Sequence, residues 1–220
     1  MAVAVNFTMS ETMMWPTKLP LIAILRGIRP DEVLDHVGAL VDAGFDAIEI
    51  PLNSPDWQES IRLALAEYGS RALIGAGTVL QADDVDLLAG LGARLLVSPN
   101  TDVDVIRRAV GHKLVTCIGC MTATEAFVAI KAGARNLKFF PAGELGPNYL
   151  KAVLTVLPKS VPVFAVGGVT PENLAQYLAV GCIGAGLGSD LYRAGQPLER
   201  TREKARAFVA AWHNFQEATV

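Results

Sequence analysis

Two ionisable side chains stand where a buried strand should carry apolar ones. The runs Ala47-Ile48-Glu49-Ile50-Pro51-Leu52 and Asn136-Leu137-Lys138-Phe139-Phe140-Pro141 are otherwise apolar. Alternation puts Ile48, Ile50 and Leu52 on one face and Glu49 on the other, and it sets Lys138 opposite Leu137 and Phe139. A third run repeats the idea, with Ile22, Ile24 and Arg26 sharing a face. A lysine enclosed among apolar groups gives up its proton more readily and becomes a nucleophile. Such an amine attacks a carbonyl to form an imine, and a carboxylate beside it can move protons. The pair therefore points to Schiff-base aldol chemistry. The alternative is a buried ion pair that only satisfies itself, which would add little to stability.

A second group of residues suits an anion. Ala165-Val166-Gly167-Gly168-Val169-Thr170 and Gly186-Leu187-Gly188-Ser189-Asp190 each end a strand-like run on glycines. Glycine lets backbone N–H groups come close to a phosphate, and Ser189 adds a hydroxyl donor. Tight turns alone would also explain the glycines. Two such segments, after the seventh and eighth strands, favour the phosphate reading and a small phosphorylated substrate.

These residues need a frame that brings chain positions far apart to one place. Strand-like runs fall at 19–27, 47–53, 72–79, 95–99, 114–120, 136–141, 161–169 and 183–189, with helical stretches at 30–43, 56–68, 82–91, 122–132, 171–180 and 199–218. Pro30-Asp31-Glu32 and Thr170-Pro171-Glu172 suit first helical turns, and Thr122 with Glu125 makes a capping box. Gly44, Gly92, Gly133 and Gly181 follow helices and precede strands, as left-handed caps do. Eight strand–helix units predict an α/β fold, a single (β/α)8 TIM barrel, with an extension over 1–17 and the barrel over 18–220. A doubly wound dinucleotide fold is disfavoured, because neither Ile24-Leu25-Arg26-Gly27-Ile28 nor Gly184-Ala-Gly-Leu-Gly-Ser189 has the G-x-G-x-x-G spacing. In the barrel, strands two and six oppose each other, so Glu49 and Lys138 face across the lumen.

The 220 residues are 51% hydrophobic and 19% charged, with 19 Lys and Arg against 22 Asp and Glu. That balance excludes disorder and leaves no basic stripe for nucleic acid. No membrane association is expected either. The uncharged stretch 173–189 contains Asn173, Gln176 and four glycines, and residues 1–14 lack the basic and apolar regions of a signal peptide. Three cysteines fit a reducing compartment, so the expected location is cytoplasmic. Cys117 and Cys120 match C-x-x-C, but in a strand they point to opposite faces and read as core. His36, His112 and His213 have no ligand spacing, so no metal and no other cofactor is expected. Trp57, Tyr68 and Phe127 read as packing residues.

Seven segments in order resemble the family of 2-keto-3-deoxy-6-phosphogluconate and phosphogalactonate aldolases. They are Leu25-Arg-Gly27, Ala47-Ile-Glu-Ile-Pro-Leu-Asn53, Gly75-Ala-Gly-Thr-Val79, Val97-Ser-Pro-Asn100, Leu137-Lys-Phe-Phe-Pro141, Phe164-Ala-Val-Gly-Gly-Val169 and Gly186-Leu-Gly-Ser-Asp190. The resemblance implies that Lys138 forms the imine and Glu49 is the general acid and base. It further implies that Arg26, Thr78, Pro99 and Phe140 line the pyruvate end, that Gly167, Gly168, Gly188 and Ser189 hold the phosphate, and that the chain is a homotrimer. Gluconate-type members typically carry Thr-Leu-Arg where this chain has Pro51-Leu52-Asn53, and a threonine where it has Val166. A hydroxyl there could bond the C4 hydroxyl of one epimer and valine cannot, so both departures resemble the galactonate type. A phosphosugar isomerase or epimerase, and a non-catalytic sugar-phosphate sensor, are the rival readings.

Overall fold

The computed structural model describes residues 15–219. In order they form β1 (Leu21–Ile24), α1 (Val33–Ala43), β2 (Ala47–Pro51), α2 (Trp57–Tyr68), β3 (Leu73–Gly77), α3 (Ala82–Gly90), β4 (Leu95–Val97) and α4 (Val103–Gly111). The second half continues with β5 (Val115–Cys120), α5 (Ala123–Ala132), β6 (Asn136–Phe139), α6 (Ala142–Leu154), β7 (Val163–Val166), α7 (Leu174–Ala179), β8 (Gly184–Leu187) and α8 (Leu198–Thr219). All neighbouring strands are parallel, and β8 pairs with β1 to close the barrel. This is the (β/α)8 TIM barrel expected from the sequence.

The alternation of side chains divides the core into two layers. Ile48, Ile50, Leu137 and Phe139 point outward into a large cluster with the helices. Ile22, Ile24, Ala47, Leu95, Val97, Phe164 and Val166 point inward and fill the lumen. Trp15 joins the inner cluster at 8% exposure, and its indole meets Phe164 edge to face with ring centroids 4.6 Å apart. The backbone N–H of Lys18, three residues on, donates to the Asp46 carboxylate at 2.8 Å. Of the extension expected over 1–17, residues 1–14 lie outside the described residues, whereas Trp15 and Thr17 belong to the packed body.

Local signals account for many of the boundaries. Gly44, Gly92, Gly133 and Gly181 all adopt positive φ at helix ends. Thr122 accepts from the Glu125 N–H while Glu125 accepts from the Thr122 N–H, so the capping box is formed. Two helices start later than expected. Residues 30–32 make a turn, because the Glu32 carboxylate accepts from the Arg29 N–H and the Tyr192 hydroxyl instead of capping α1. Residues 170–173 likewise turn around Asn173, whose side chain accepts from the Thr170 N–H and donates to the Gly168 carbonyl. The strands are shorter than the apolar runs, and in all but β5 some of the leftover residues form the loop at the carboxyl end. Trp57 and Tyr68 pack as expected, but Phe127 is 45% exposed on α5. No described helix is long and apolar enough to cross a membrane.

Candidate active site

Glu49 lies in β2 between the outward-facing Ile48 and Ile50, and Lys138 in β6 between Leu137 and Phe139. Period-two geometry therefore drives both ionisable groups into the lumen. Glu49 is 1% exposed and Lys138 4%. Burial pushes the Glu49 carboxyl up to about 7, against the opposing pull of Lys138 and Arg26. Burial lowers the Lys138 ammonium, with Glu49 and Cys117 resisting and Arg26 assisting. Each group feels the other, as placement on opposed strands of one small barrel requires. The Glu49 Oε2 atom is buried without a hydrogen-bond partner. An enclosed carboxyl with an unused oxygen and a pKa near neutrality can both take and return a proton.

The neighbouring strands are shaped around these two groups. Gly77 ends β3, and a Cβ built there would lie 1.9 Å from the Glu49 Oε2 atom. Only glycine at this position leaves the carboxylate its place. On the other side, Gly119 pairs in register with Lys138, and a Cβ on it would lie 2.2 Å from the Pro99 carbonyl carbon. Pro99 is thus laid over β5 at the mouth. The Phe140 ring, 39% exposed, stands with its centroid 5.1 Å from the Lys138 Nζ. Cys117 points inward with its thiol pushed up to about 12 by burial, so it stays neutral below the amine. Cys120 faces outward into the helical layer, as a C-x-x-C spaced along a strand must.

The other residues singled out by the sequence all sit at the carboxyl ends of strands, on one mouth of the barrel. Arg26 follows β1, Thr78 follows β3, Val166 ends β7, and Gly188 and Ser189 follow β8. The Arg26 Nη1 donates to Asn53 Oδ1 at 2.7 Å and to Thr78 Oγ1 at 3.3 Å. Asn53 was not among the expected site residues. Its sequence signals were its place at the end of the glutamate-bearing segment and its standing where gluconate-type members carry arginine. Val166 is buried beside Gly186, where a Cβ would lie 2.8 Å from the valine side chain.

Gly167 and Gly168 have φ of 89° and 75°, a left-handed pair that other residues adopt only with strain. A Cβ on Gly167 would lie 3.1 Å from the Phe140 ring, and one on Gly168 would lie 3.0 Å from the Gly143 Cα. Their carbonyls are occupied, with Gly143 N–H donating to Gly167 and the Asn173 amide to Gly168. After β8, Gly188 O accepts from Leu191 N–H and Tyr192 N–H, and Ser189 O accepts from Arg193 Nε at 2.8 Å. Carbonyl oxygens would repel an anion. With these four tied into the loops, the two segments can present N–H groups and the Ser189 hydroxyl instead. Among the described residues, no three His, Cys, Asp or Glu side chains gather as metal ligands do.

An amine and a carboxyl group enclosed in the mouth of a (β/α)8 barrel make this a carbon–carbon lyase of the imine-forming class, and comparison with known proteins agrees. Residues 13–202 match the family model described as KDPG and KHG aldolase, and the chain belongs to that family. It is 64% identical over 200 residues to the 2-dehydro-3-deoxy-6-phosphogalactonate aldolase of Escherichia coli K12, covering 91% of this chain and 98% of the relative. A solved structure described as native KDPGal superimposes with a TM-score of 0.92 at 62% identity, over 93% of this chain and all of the other. A cube-shaped cage designed by fusing symmetric oligomeric domains matches equally well, with a TM-score of 0.92 and 62% identity, over 92% of this chain and 75% of the other.

Proposed function

We propose that this chain cleaves 2-dehydro-3-deoxy-6-phosphogalactonate to pyruvate and glyceraldehyde 3-phosphate, with Lys138 as the imine-forming residue and Glu49 as the proton carrier. The observation that carries the reading is the enclosure of Lys138, whose burial favours the neutral amine, in the same lumen as a Glu49 carboxyl pushed up to about 7. The Lys138 amine adds to the C2 carbonyl, and loss of water gives the iminium. Glu49, directly or through a water, takes the C4 hydroxyl proton while the C3–C4 bond breaks. Its electron pair passes into the iminium to give an enamine, and the phosphorylated aldehyde departs. A proton returns to C3, and hydrolysis frees pyruvate and the amine. Arg26, Thr78, Pro99 and Phe140 hold the pyruvate end, while Gly167, Gly168, Gly188 and Ser189 hold the phosphate. Fixing both ends of the substrate sets C2 over Lys138, and such positioning supplies several kcal/mol of catalysis.

Galactonate over gluconate rests on Val166 and on Pro51-Leu52-Asn53, where gluconate-type members carry hydroxyl-bearing and cationic residues. Val166→Thr adds one hydrogen-bonding group beside the C4 hydroxyl, and it should shift the ratio of turnover toward the gluconate epimer by about tenfold. Parallel assays of pyruvate release from the two substrates measure that ratio. The chemistry itself is tested by borohydride reduction in the presence of pyruvate. A stable adduct on Lys138, located by peptide mass, is the expected result, and its absence overturns the imine mechanism. An isomerase or a non-catalytic sensor would release no pyruvate.

The assembly belongs to the same reading. Leu87, Val110, Phe127 and Val128 are exposed apolar residues on α3, α4 and α5, and Leu80 and Met121 are exposed in the loops leading into α3 and α5. Exposed apolar residues on successive elements suit burial between copies of the chain. With the family resemblance, they support a homotrimer, and the three free cysteines suit the cytoplasm.

A further inference from the structure

We infer that Asn53 is a positioning residue for substrate binding, which holds the Arg26 guanidinium through a neutral acceptor and so leaves its full charge for the substrate carboxylate. The inference rests on the proposed docking of the pyruvate carboxylate at Arg26. Three adjacent strands converge on this one side chain: Arg26 lies two residues past β1, Asn53 two past β2 and Thr78 one past β3. Asn53 Oδ1 and Thr78 Oγ1 both accept from the same guanidinium nitrogen, at 2.7 and 3.3 Å. The rest of the guanidinium fork is left to face a ligand, and a planar fork matches a carboxylate.

The chemistry of the two acceptors is the informative part. Arg29, Arg62, Arg71, Arg108, Arg200 and Arg202 are each paired with a carboxylate on the outside of the barrel. At the mouth, Arg26 is held by an amide oxygen and a hydroxyl. A carboxylate at position 53 would hold the side chain as firmly and would cancel the charge that draws the substrate. Arg26 is also close enough to the reacting groups to pull both Glu49 and Lys138 toward lower pKa. Thr78 supplies an independent sign that the arrangement is imposed. Its φ is 56°, a left-handed value that a β-branched residue adopts only against strain. Strain of this sort is kept where the surrounding contacts over-determine a geometry, as they do at binding sites.

The test measures how the rate of borohydride trapping on the full-length chain saturates with pyruvate. N53A frees the guanidinium and should raise the half-saturating pyruvate concentration by about tenfold, the loss of one charge-assisted hydrogen bond. N53S, with a shorter neutral acceptor, should fall between N53A and the parent. N53D keeps an acceptor for Arg26 and should nevertheless bind pyruvate more weakly than N53A. The maximal trapping rate should stay within a few-fold in all three. A purely structural role predicts the opposite order, with N53D close to the parent, and that result overturns the inference. So does an unchanged half-saturation in every variant. Failure of the parent chain to trap pyruvate at all is a different outcome, because it removes the imine reading and the carboxylate that the clamp would serve.

Discussion

Glu49 and Lys138 were legible in the sequence because parallel strands buried on both faces have no other use for charge. The same logic could not find Asn53. Its partner Arg26 is 27 positions away on the next strand, and polar residues at strand ends are ordinary until the barrel closes and aligns them. The positive φ of Thr78 left no mark in the sequence either; only family resemblance pointed to it. As the proposed proton carrier, Glu49 also sets the expected pH dependence. Its carboxyl is pushed up to about 7, so it holds its proton below that pH and is an effective base above it. Cleavage should therefore weaken as pH falls through about 7, approaching a tenfold loss per pH unit on the acid side. Glu49→Gln should flatten this limb and lower turnover by about 10²–10⁴-fold. Steady-state kcat/KM from pH 5.5 to 8.5 for both proteins checks the assignment, and an unchanged acid limb in the variant would assign it to another group.

The strands do more than carry the reacting residues, since what they omit matters as much. β3 presents Gly77 to the lumen, and a methyl group there would occupy the space of the Glu49 carboxylate. Gly77→Ala should displace that carboxylate and cut pyruvate release by about 10²-fold, comparable to losing a general base. Borohydride trapping at Lys138 should persist in this variant, and loss of both activities together would mean that β3 itself had failed. The capping box at α5 and the glycine ends of four helices were readable because each depends on a few adjacent residues. The late starts of α1 and α7 were not, because Glu32 and Asn173 take long-range or loop partners in place of helical ones. The turn around Asn173 is also what ties down the Gly168 carbonyl. A shortened helix thus helps to form the loop proposed to hold the phosphate.

The described residues form one barrel whose lumen ends in different ways on its two sides. One side opens among the strand ends that hold Arg26, Lys138 and the glycine loops; the other is occupied by Trp15 against Phe164. Replacing Trp15 with alanine should cost about 3–5 kcal/mol of stability, readable by urea denaturation. Around the outside, Leu87→Glu together with Phe127→Glu should disperse the proposed trimer, and light scattering would then report the monomer mass. The plugged floor also governs traffic. Both products must leave by the door through which the substrate entered, and in the proposed mechanism the pyruvate fragment is still bonded to Lys138 when the aldehyde comes free. Glyceraldehyde 3-phosphate is therefore released first and pyruvate last. Pyruvate should inhibit cleavage competitively against the substrate, and the aldehyde noncompetitively, because the proposed imine keeps pyruvate on Lys138 until last while the tryptophan floor leaves one mouth for all three.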